Sequence, residues 1–241
     1  MVEKPNAQRM FLGWIGLFAV CIASTNLLPA QQANNSAIIQ GIDTSVNARN
    51  EGILGYTVTE HYAVFRSQDQ EHPAAEMTVK TTYQKDVGKR YDILSESGSE
   101  LIRKEVLARV LENERVMTQP TNRARAIITS SNYRMNPSGT ESLNGRNCIV
   151  VSIEPKHDST YLFKGKIWVD AENYAIVQLE GVAAKSPSML TGAAEVSRQY
   201  AQMDGMPMAT HAKAVSKSWL LGETTVKIDY TGYEIKQRSP Q

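Results

Sequence analysis

The chain has only two cysteines among its 241 residues, Cys21 and Cys148. Cys21 lies in the N-terminal segment, so a chain that loses this segment keeps one cysteine and forms no internal disulfide. Cys148 lies in the apolar run NCIVVSI, which favours a buried thiol over a nucleophile. The 26 lysines and arginines nearly balance the 25 aspartates and glutamates. This balance gives no reason to expect nucleic acid or an anionic membrane surface as a partner.

The motifs of common enzymes and metal proteins are missing too. The chain has no Cys-x-x-Cys, no Gly-x-Ser-x-Gly and no phosphate loop. None of the four histidines has another histidine four residues away: His61, His72, His157 and His211. The segment HDST at 157–160 combines hydrolase residue types but fits a polar loop between strands. We therefore predict no enzyme activity, no catalytic residue, no metal and no cofactor.

Methionines surround a short Asp-Gly segment in MDGMPM. Met203, Met206 and Met208 could bind a soft metal through their thioethers. Three such residues around a glycine and a proline more often flank a hairpin and pack inward. We therefore expect these side chains to belong to the core.

A long apolar run is present near the N-terminus. Lys4 and Arg9 precede a charge-free segment from Met10 to Ser24, and the small residue Ala30 follows. This order is typical of a secretory signal peptide. The sequence thus predicts a signal peptide at 1–30 and one mature domain at 31–241, located in the periplasm or secreted. The run is short for a membrane span, although an uncleaved anchor remains the alternative.

Two helices are predicted in the first half of the chain. Ile38, Ile39, Ile42 and Val46 are spaced as on one helical face, although Gly41 weakens this helix. A middle helix is predicted from Ser97 to Met117, with Ser97 and Glu100 as a capping box, Glu105 paired with Arg109, and Pro120 as its stop. Its apolar face comprises Leu101, Ile102, Val106, Leu107, Val110 and Leu111.

Most of the remaining chain alternates between apolar and polar residues. YTVTEHYAVFR carries Tyr56, Val58, Tyr62 and Val64 on one face, and EMTVKTTYQK and TTVKIDYTGY show the same pattern. This period is typical of antiparallel strands with one buried face. The fold class is therefore predicted to be α+β and mainly β. We expect a curved antiparallel sheet, an unclosed β-barrel, wrapped around two or so helices.

The stretch GKIWVDAENYAIVQLEG poses a choice between scaffold and site. Asp170, Glu172 and Glu180 lie close together in sequence, and neighbouring carboxylates can do chemistry. KIWV and YAIVQL nevertheless have the composition of strands, and DAEN has that of a turn. We therefore interpret Asp170 and Glu172 as turn residues of a hairpin.

Several segments together resemble a known group of secreted bacterial proteins. They are GYTVTEHYAV, the middle helix, NGRNCIVVSIEPK, YLFKGKIWVDAENYAIVQLEG and VKIDYTGYEI. The group is the outer-membrane lipoprotein-sorting proteins, related in fold to the periplasmic lipoprotein carrier and to a sigma-factor regulatory sensor. The resemblance implies an unclosed β-barrel whose concavity holds acyl chains. Arg103 and Arg115 are the candidates for the arginine that closes the carrier's cavity.

The resemblance makes a binding protein the leading interpretation. Such a protein would carry or sense an apolar, acylated ligand, such as a lipid or a lipoprotein, with only peripheral membrane contact. The predicted ligand-binding residues are the helix residues Ile102, Val106 and Val110 and the strand residues Ile167, Val169, Val177 and Leu179. The alternative is an envelope protein-interaction module that has the same fold but a filled core.

Overall fold

The computed structural model describes residues 27–67, 69–157, 159, 161–185, 194–218 and 222–239. The signal peptide predicted at 1–30 lies outside these ranges, except that residues 27–30 begin the first helix. Among the helices in these ranges, none has the length and apolar character needed to cross a membrane.

The described residues form ten strands, all paired antiparallel in one sheet. The strands are β1 (Ile53–Arg66), β2 (Ala75–Gln84), β3 (Gly88–Gly98), β4 (Tyr133–Leu143), β5 (Arg146–Pro155), β6 (Phe163–Asp170), β7 (Ile176–Ala183), β8 (Glu195–Met203), β9 (Met206–Ser218) and β10 (Gly222–Gln237). Their spatial order is β3-β2-β1-β10-β9-β8-β7-β6-β5-β4.

Strands β3 and β4 are the two edges of this unclosed sheet, although they are consecutive strands in the sequence. The chain between them must therefore cross a whole face of the sheet. It does so as helices, which cover that face, called the inner face below. The predicted fold class, mainly β with helices inside an unclosed antiparallel sheet, is confirmed.

Four α-helical segments lie in the described residues: α1 (Leu27–Gly52), α2 (Glu100–Ile102), α3 (Ala108–Thr118) and α4 (Pro120–Ala126). A π-helical segment, Arg103–Leu107, joins α2 to α3, so the predicted middle helix is one run with a wider turn inside it. Pro120 ends this run as predicted. It also starts α4, because proline is well tolerated in the first turn of a helix.

The start of the middle helix differs from the predicted capping box. Strand β3 continues to Gly98, so Ser97 lies in the sheet. The N-cap is Ser99, whose hydroxyl accepts a hydrogen bond from the Ile102 amide at 3.4 Å. The predicted pair on the helix surface is present, with Arg109 Nη2 2.6 Å from Glu105 Oε2.

The helices bury two separate halves of the inner face. The first half lies under α2 and the π-helical segment and includes Val58, Tyr62, Val64, Met77, Val79, Ile102, Leu107, Val226, Ile228 and Tyr230. The second lies under α1 and comprises Ile38, Ile42, Tyr133, Val151, Ile153, Leu162, Ile167, Val169 and Leu179. The middle helix therefore packs on the first half and not on the late strands β6 and β7, where we had expected it.

Candidate functional site

A cavity of about 280 Å³ lies on the inner face, bordered by residues that pack on both halves of the core. Helix α1 forms one side, the ends of α3 and α4 form another, and strands β1, β2, β3, β8, β9 and β10 form the floor. The lining residues are Val46, Arg49, Asn50, Ile53, Tyr56, Tyr83, Lys89, Glu114, Met117, Thr118, Arg123, Ala126, Ile127, Arg198, Tyr200, Met208, Ala209, Tyr230 and Tyr233.

A second hollow of about 190 Å³ adjoins the first. The two share Val46, Arg49, Ala126, Ile127 and Tyr200. The second hollow adds mainly apolar residues to this shared wall: Ile128, Ile176 and Pro207, with Ser45. The two hollows therefore lie side by side, and we call the second the apolar end and the first the polar end of the interior.

An ionic network stands at the polar end, buried at Glu60 and Lys89 and half-buried at Arg198. Lys89 Nζ lies 3.1 Å from Glu60 Oε1 and 2.5 Å from Glu114 Oε2. Arg198 Nη2 lies 3.0 Å from the other Glu114 oxygen. Glu60 is fully buried and Lys89 is 9% exposed. The four groups come from β1, β3, α3 and β8, so the network ties the middle helix to distant parts of the sheet.

The pKa of Glu114 shows how strongly this network favours charge. Burial raises the pKa, but Lys89 and Arg198 outweigh burial and lower the value to about 2. Burial likewise lowers the pKa of Lys89, yet Glu114 and its neighbours leave that pKa well above its ordinary value. Both groups are therefore ionised at neutral pH.

Tyrosine hydroxyls complete the network. Tyr62 donates a hydrogen bond to Glu60 Oε2, and Tyr91 donates one to Glu114 Oε2 at 3.3 Å. Burial raises the pKa of both phenols, so they remain neutral donors. Tyr230 also lines the cavity and is 6% exposed, but its hydroxyl has no hydrogen-bond partner among the described residues.

Two further arginines line the cavity without taking part in this network. Arg49 Nε donates to the Pro207 carbonyl at 2.7 Å, and Nη2 lies 4.0 Å from the Met208 sulfur. Arg123 Nη1 donates to the Tyr83 hydroxyl at 2.6 Å and to the Lys85 carbonyl at 2.7 Å. Within the described part of the chain, neither guanidinium forms an ion pair with a carboxylate.

Aromatic rings form part of the floor of the same hollow. The rings of Tyr56 and Tyr83 stack with centroids 5.0 Å apart, and Tyr233 meets Tyr56 edge-on at 5.7 Å. Met208 is 1% exposed and packs with Ile53 in the same cluster. The floor therefore presents aromatic and methionine side chains, and the hydroxyls of Tyr83 and Tyr233 are already bonded to Arg123 and to the Ala209 carbonyl.

None of the seven predicted ligand-binding residues is among the residues that line these two hollows. Ile102, with Val106 and Val110 beside it, packs in the first half of the core, while Ile167, Val169 and Leu179 pack in the second. The predicted facing of helix and late strands is thus not present. A role of these residues in binding stays a prediction.

Val177 does not share a face with Ile167, Val169 and Leu179. It packs with Cys148, Val150 and Trp168 in a separate cluster. The β6–β7 register shifts between Trp168 and Val169. Trp168 pairs with Gln178 and Val169 pairs with Ile176, so Val177 is an extra residue in β7. A bulge of this kind reverses the alternation that the sequence pattern assumes.

The acidic stretch is a hairpin turn, as interpreted from the sequence. Asp170 ends β6 and accepts a hydrogen bond from the Glu172 amide at 2.8 Å, and Asn173 accepts one from the Ala175 amide at 2.9 Å. Across the described residues, no group of three or more His, Cys, Asp or Glu side chains could hold a metal.

The other sequence candidates have structural positions. Cys148 is buried, and burial raises the pKa of its thiol. Met203 and Met206 flank the β8–β9 turn and pack on the cluster that contains Met208. His61 and His211 lie on the more polar face, where His211 pairs with Asp229 at 2.6 Å. In HDST, residues 158 and 160 lie outside the described residues.

The two candidate closing arginines of the middle helix have partners away from the cavity. Arg103 donates to the Gly98 carbonyl at 2.5 Å, and Arg115 pairs with Glu112 at 2.6 Å. Neither is among the residues that line the cavity. The arginines at the cavity are Arg49, Arg123 and Arg198.

Sequence patterns contain a partial signal for the polar residues of the cavity. Glu60 has the same parity as Tyr56, Val58, Tyr62 and Val64 in β1, so the alternation already places it on the inner face. Arg49 continues the stripe of α1 three residues after Val46. A charged residue at an apolar position is the signal that could have pointed to this site.

Comparison with known proteins gives a likeness in structure only. No protein-family profile matches the sequence, and no curated protein matches it. The class that the structure itself defines is an unclosed antiparallel β-sheet around helices, with an interior cavity.

Solved structures with this architecture include a LolA superfamily protein from Nitrosomonas europaea (12% identity, TM-score 0.46, covering 83% of this chain and 94% of that one). A Vibrio parahaemolyticus domain described as a putative outer membrane lipoprotein-sorting protein domain is similar, with 15% identity and a TM-score of 0.46. The match covers 84% of this chain and 94% of that one. The MucA/MucB complex of Pseudomonas aeruginosa is also similar, with 10% identity and a TM-score of 0.28. The match covers 83% of this chain and 94% of that one. These are the kinds of protein that the sequence resembles. Because the TM-scores are below 0.5, this likeness carries no argument about function.

Proposed function

We propose that this protein binds an acylated, amphipathic ligand inside the sheet, and so carries or senses a lipid or lipoprotein in the cell envelope. The observation that supports this function is the pair of adjoining hollows between the helices and the inner face. Ligand sites are typically on the order of 300–1,000 Å³, and the two hollows together fall in that range.

The apolar end of this space suits an alkyl chain. Val46, Ile127, Ile128 and Ile176 line it, and none of these side chains offers a hydrogen bond to water. Moving one methylene group from water to such a surface is worth about 0.8 kcal/mol. A chain of several methylenes would therefore bind without many polar contacts.

The proposed location rests on the N-terminal sequence. Lys4 and Arg9, the apolar run that follows and Ala30 have the order of a signal peptide. The mature protein would then meet its ligand outside the cytoplasm. Edman sequencing of protein from the envelope fraction is expected to start near Gln31, and an intact Met1 terminus in the cytoplasm would oppose this location.

Native mass spectrometry of protein purified from the envelope tests the proposed function. We expect an adduct that organic extraction removes and that fragments into an acylated compound. The unliganded protein recovered by extraction should then bind a fluorescent acyl probe. Absence of an adduct, together with no probe binding by the extracted protein, would contradict the proposal.

A second candidate function is a protein-interaction module, favoured by apolar side chains near one free edge of the sheet. Ile93 and Leu94 on edge strand β3 are 55% and 59% exposed, and the neighbouring Leu101 is 55% exposed. An extended segment of an envelope protein could pair with β3 there. Crosslinking from position 94 in intact cells tests this candidate, with Lys80 as the control position.

A further inference from the structure

The charges around the cavity do not cancel. Lys89 and Arg198 face Glu60 and Glu114, so the network has two positive and two negative groups. Arg49 and Arg123 add two more positive charges to the same lining, and their described partners are carbonyl oxygens, a hydroxyl and a sulfur. The polar end of the cavity thus has an excess of positive charge.

We propose that the polar end is a subsite for an anionic head group, a carboxylate or phosphate attached to the acyl chain. This inference rests on the proposed function and narrows its ligand to an anionic amphiphile. A guanidinium is the side chain best suited to hold carboxylate or phosphate oxygens, because it presents several donors in one plane. Arg49 and Arg123 are the two guanidinium groups with charge to spare for such a ligand.

Tyr230 belongs to the lining of the same hollow. The Tyr230 hydroxyl is buried against the cavity and lacks a described partner. Buried hydroxyls rarely go without a hydrogen bond, because an unmade bond there has a cost. Tyr230 thus adds an unpaired hydroxyl to the lining that Arg49 and Arg123 share.

The position of Arg49 gives the ligand a direction. Arg49 lines both hollows, whereas Arg123 and Tyr230 line only the polar one. A head group held by Arg49 and Arg123 leaves its chain free to enter the apolar hollow beside Ile127 and Ile176. The bound amphiphile therefore lies with its head at Arg49 and Arg123 and its tail toward Ile128 and Ile176.

Competition binding tests this inference with ligands that differ only in the head group. Palmitate, palmitoyl lysophosphatidic acid and neutral monopalmitoylglycerol would each displace a neutral fluorescent monoacylglycerol from the purified protein, below their micelle-forming concentrations. We expect one or both anions to bind about 10-fold or more tightly than the neutral compound, as for hydrogen bonds to charged groups. The preferred anion identifies the head as carboxylate or phosphate.

The double variant Arg49→Gln/Arg123→Gln should reduce this preference to about 2-fold or less while neutral binding stays the same. Glutamine keeps donors for the existing carbonyl contacts, which limits damage to the fold. Lys80→Gln/Lys213→Gln is the matched control, since it removes the same charge from exposed positions and should keep the preference. If the double variant does not fold, Arg49→Gln alone should still lower the preference about 3-fold or more.

Each result separates this inference from the function on which it rests. Equal binding of anionic and neutral compounds by the parent protein would overturn the anionic subsite and leave acyl binding intact. No binding of any acyl compound would overturn the proposed function itself. Inorganic phosphate and acetate have no acyl tail. If either of them displaced the probe as effectively as palmitate does, the tail would contribute nothing to binding, and the proposal that the ligand is an amphiphile would be overturned.

Discussion

Lys89 holds two carboxylates together inside the protein. Its ammonium group contacts Glu60, which is fully buried, and Glu114 on the middle helix. Burying a charge without a partner costs free energy of folding. Removing one member of a buried ion pair is therefore strongly destabilising, because the other charge stays buried without a partner. The network therefore matters more for what its loss would cost than for the stability it adds.

The variant Lys89→Met is expected to destabilise the protein by about 3–5 kcal/mol, because both carboxylates lose their ammonium partner. Urea unfolding followed by circular dichroism measures the change. The control Lys217→Met removes a lysine that is 77% exposed beside Glu223, and should cost less than about 0.5 kcal/mol. Similar costs for the two variants would contradict the buried network.

Acid should weaken the fold through Glu114. Its folded-state pKa of about 2 lies below the ordinary value of 4.5, so its contribution is complete above about pH 4.5 and is lost as the pH falls toward 2. The loss can reach about 3 kcal/mol. Unfolding free energies from pH 6 to pH 2 measure it. In Glu114→Gln the curve should be flatter, and parallel curves for both proteins would show that another group is responsible.

The sequence contains only part of the information about these side chains. Glu60 and Arg49 interrupt apolar patterns, and so does Glu114, which continues the middle-helix stripe four residues after Val110. Lys89 and Arg198 lie in strands without a clear pattern, so their meeting with Glu114 depends on the pairing of distant strands. Ion pairs of that kind follow from topology and not from local sequence.

Helix α1 and the β6–β7 hairpin meet closely at Gly41 and Tyr174. A Cβ atom at Gly41 would lie 2.5 Å from Cδ2 of the Tyr174 ring. Tyr174 lies at the end of the hairpin turn with a φ of 57°, which is an uncommon value for a residue other than glycine. Gly41, which weakens the helix by itself, is thus explained by the ring that packs on it.

Changing Gly41 to Ala is expected to destabilise the parent protein by about 1–3 kcal/mol through overpacking. In a Tyr174→Ala background the same change should stabilise by up to about 1 kcal/mol, because alanine favours a helix. A double-mutant cycle by chemical unfolding gives both values. Equal effects in the two backgrounds would mean that the ring and the helix do not touch.

Asp170 is buried and makes more contacts than a turn residue on the surface would. It is 7% exposed, accepts the Glu172 amide and lies 3.4 Å from the Arg146 guanidinium. Asp170→Ala should destabilise the protein by about 1–3 kcal/mol. Asp170→Asn should destabilise it less, because the amide oxygen can still accept a hydrogen bond. Glu172→Ala should cost under about 0.5 kcal/mol. Thermal unfolding of the three variants ranks them. Acyl-probe binding should persist in the folded Asp170→Asn protein, and its loss would restore an acidic site.

Element types were easier to predict than element edges. Alternation identified β1, β2 and β10, and the turn residues identified the β6–β7 hairpin, because both signals are local. The helix start moved from Ser97 to Ser99 since β3 extends to Gly98. Val177 changed faces because a bulge interrupts the alternation, and a bulge leaves no mark in an apolar run.

For the molecule as a whole, the cavity follows from how the two helical segments divide the sheet. The middle helix covers β1, β2 and β10, while α1 covers the strands toward β4. The space between them is left to large polar side chains and two hollows. The sequence predicts the sheet and the helices, but a hollow is a difference between volumes and has no sequence pattern.

The most direct test of the account is acyl-probe binding after the cavity has been filled. Ala126 lines both hollows, whereas Ala124 is exposed on the same helix, so Ala126→Trp and Ala124→Trp form a matched pair. Titration of a neutral fluorescent monoacylglycerol should show binding about 10-fold or more weaker for folded Ala126→Trp, because the indole occupies the space of the chain. Ala124→Trp should bind as the parent protein does. Unchanged binding in Ala126→Trp, or no binding in any of the three proteins, would contradict a ligand site in this cavity.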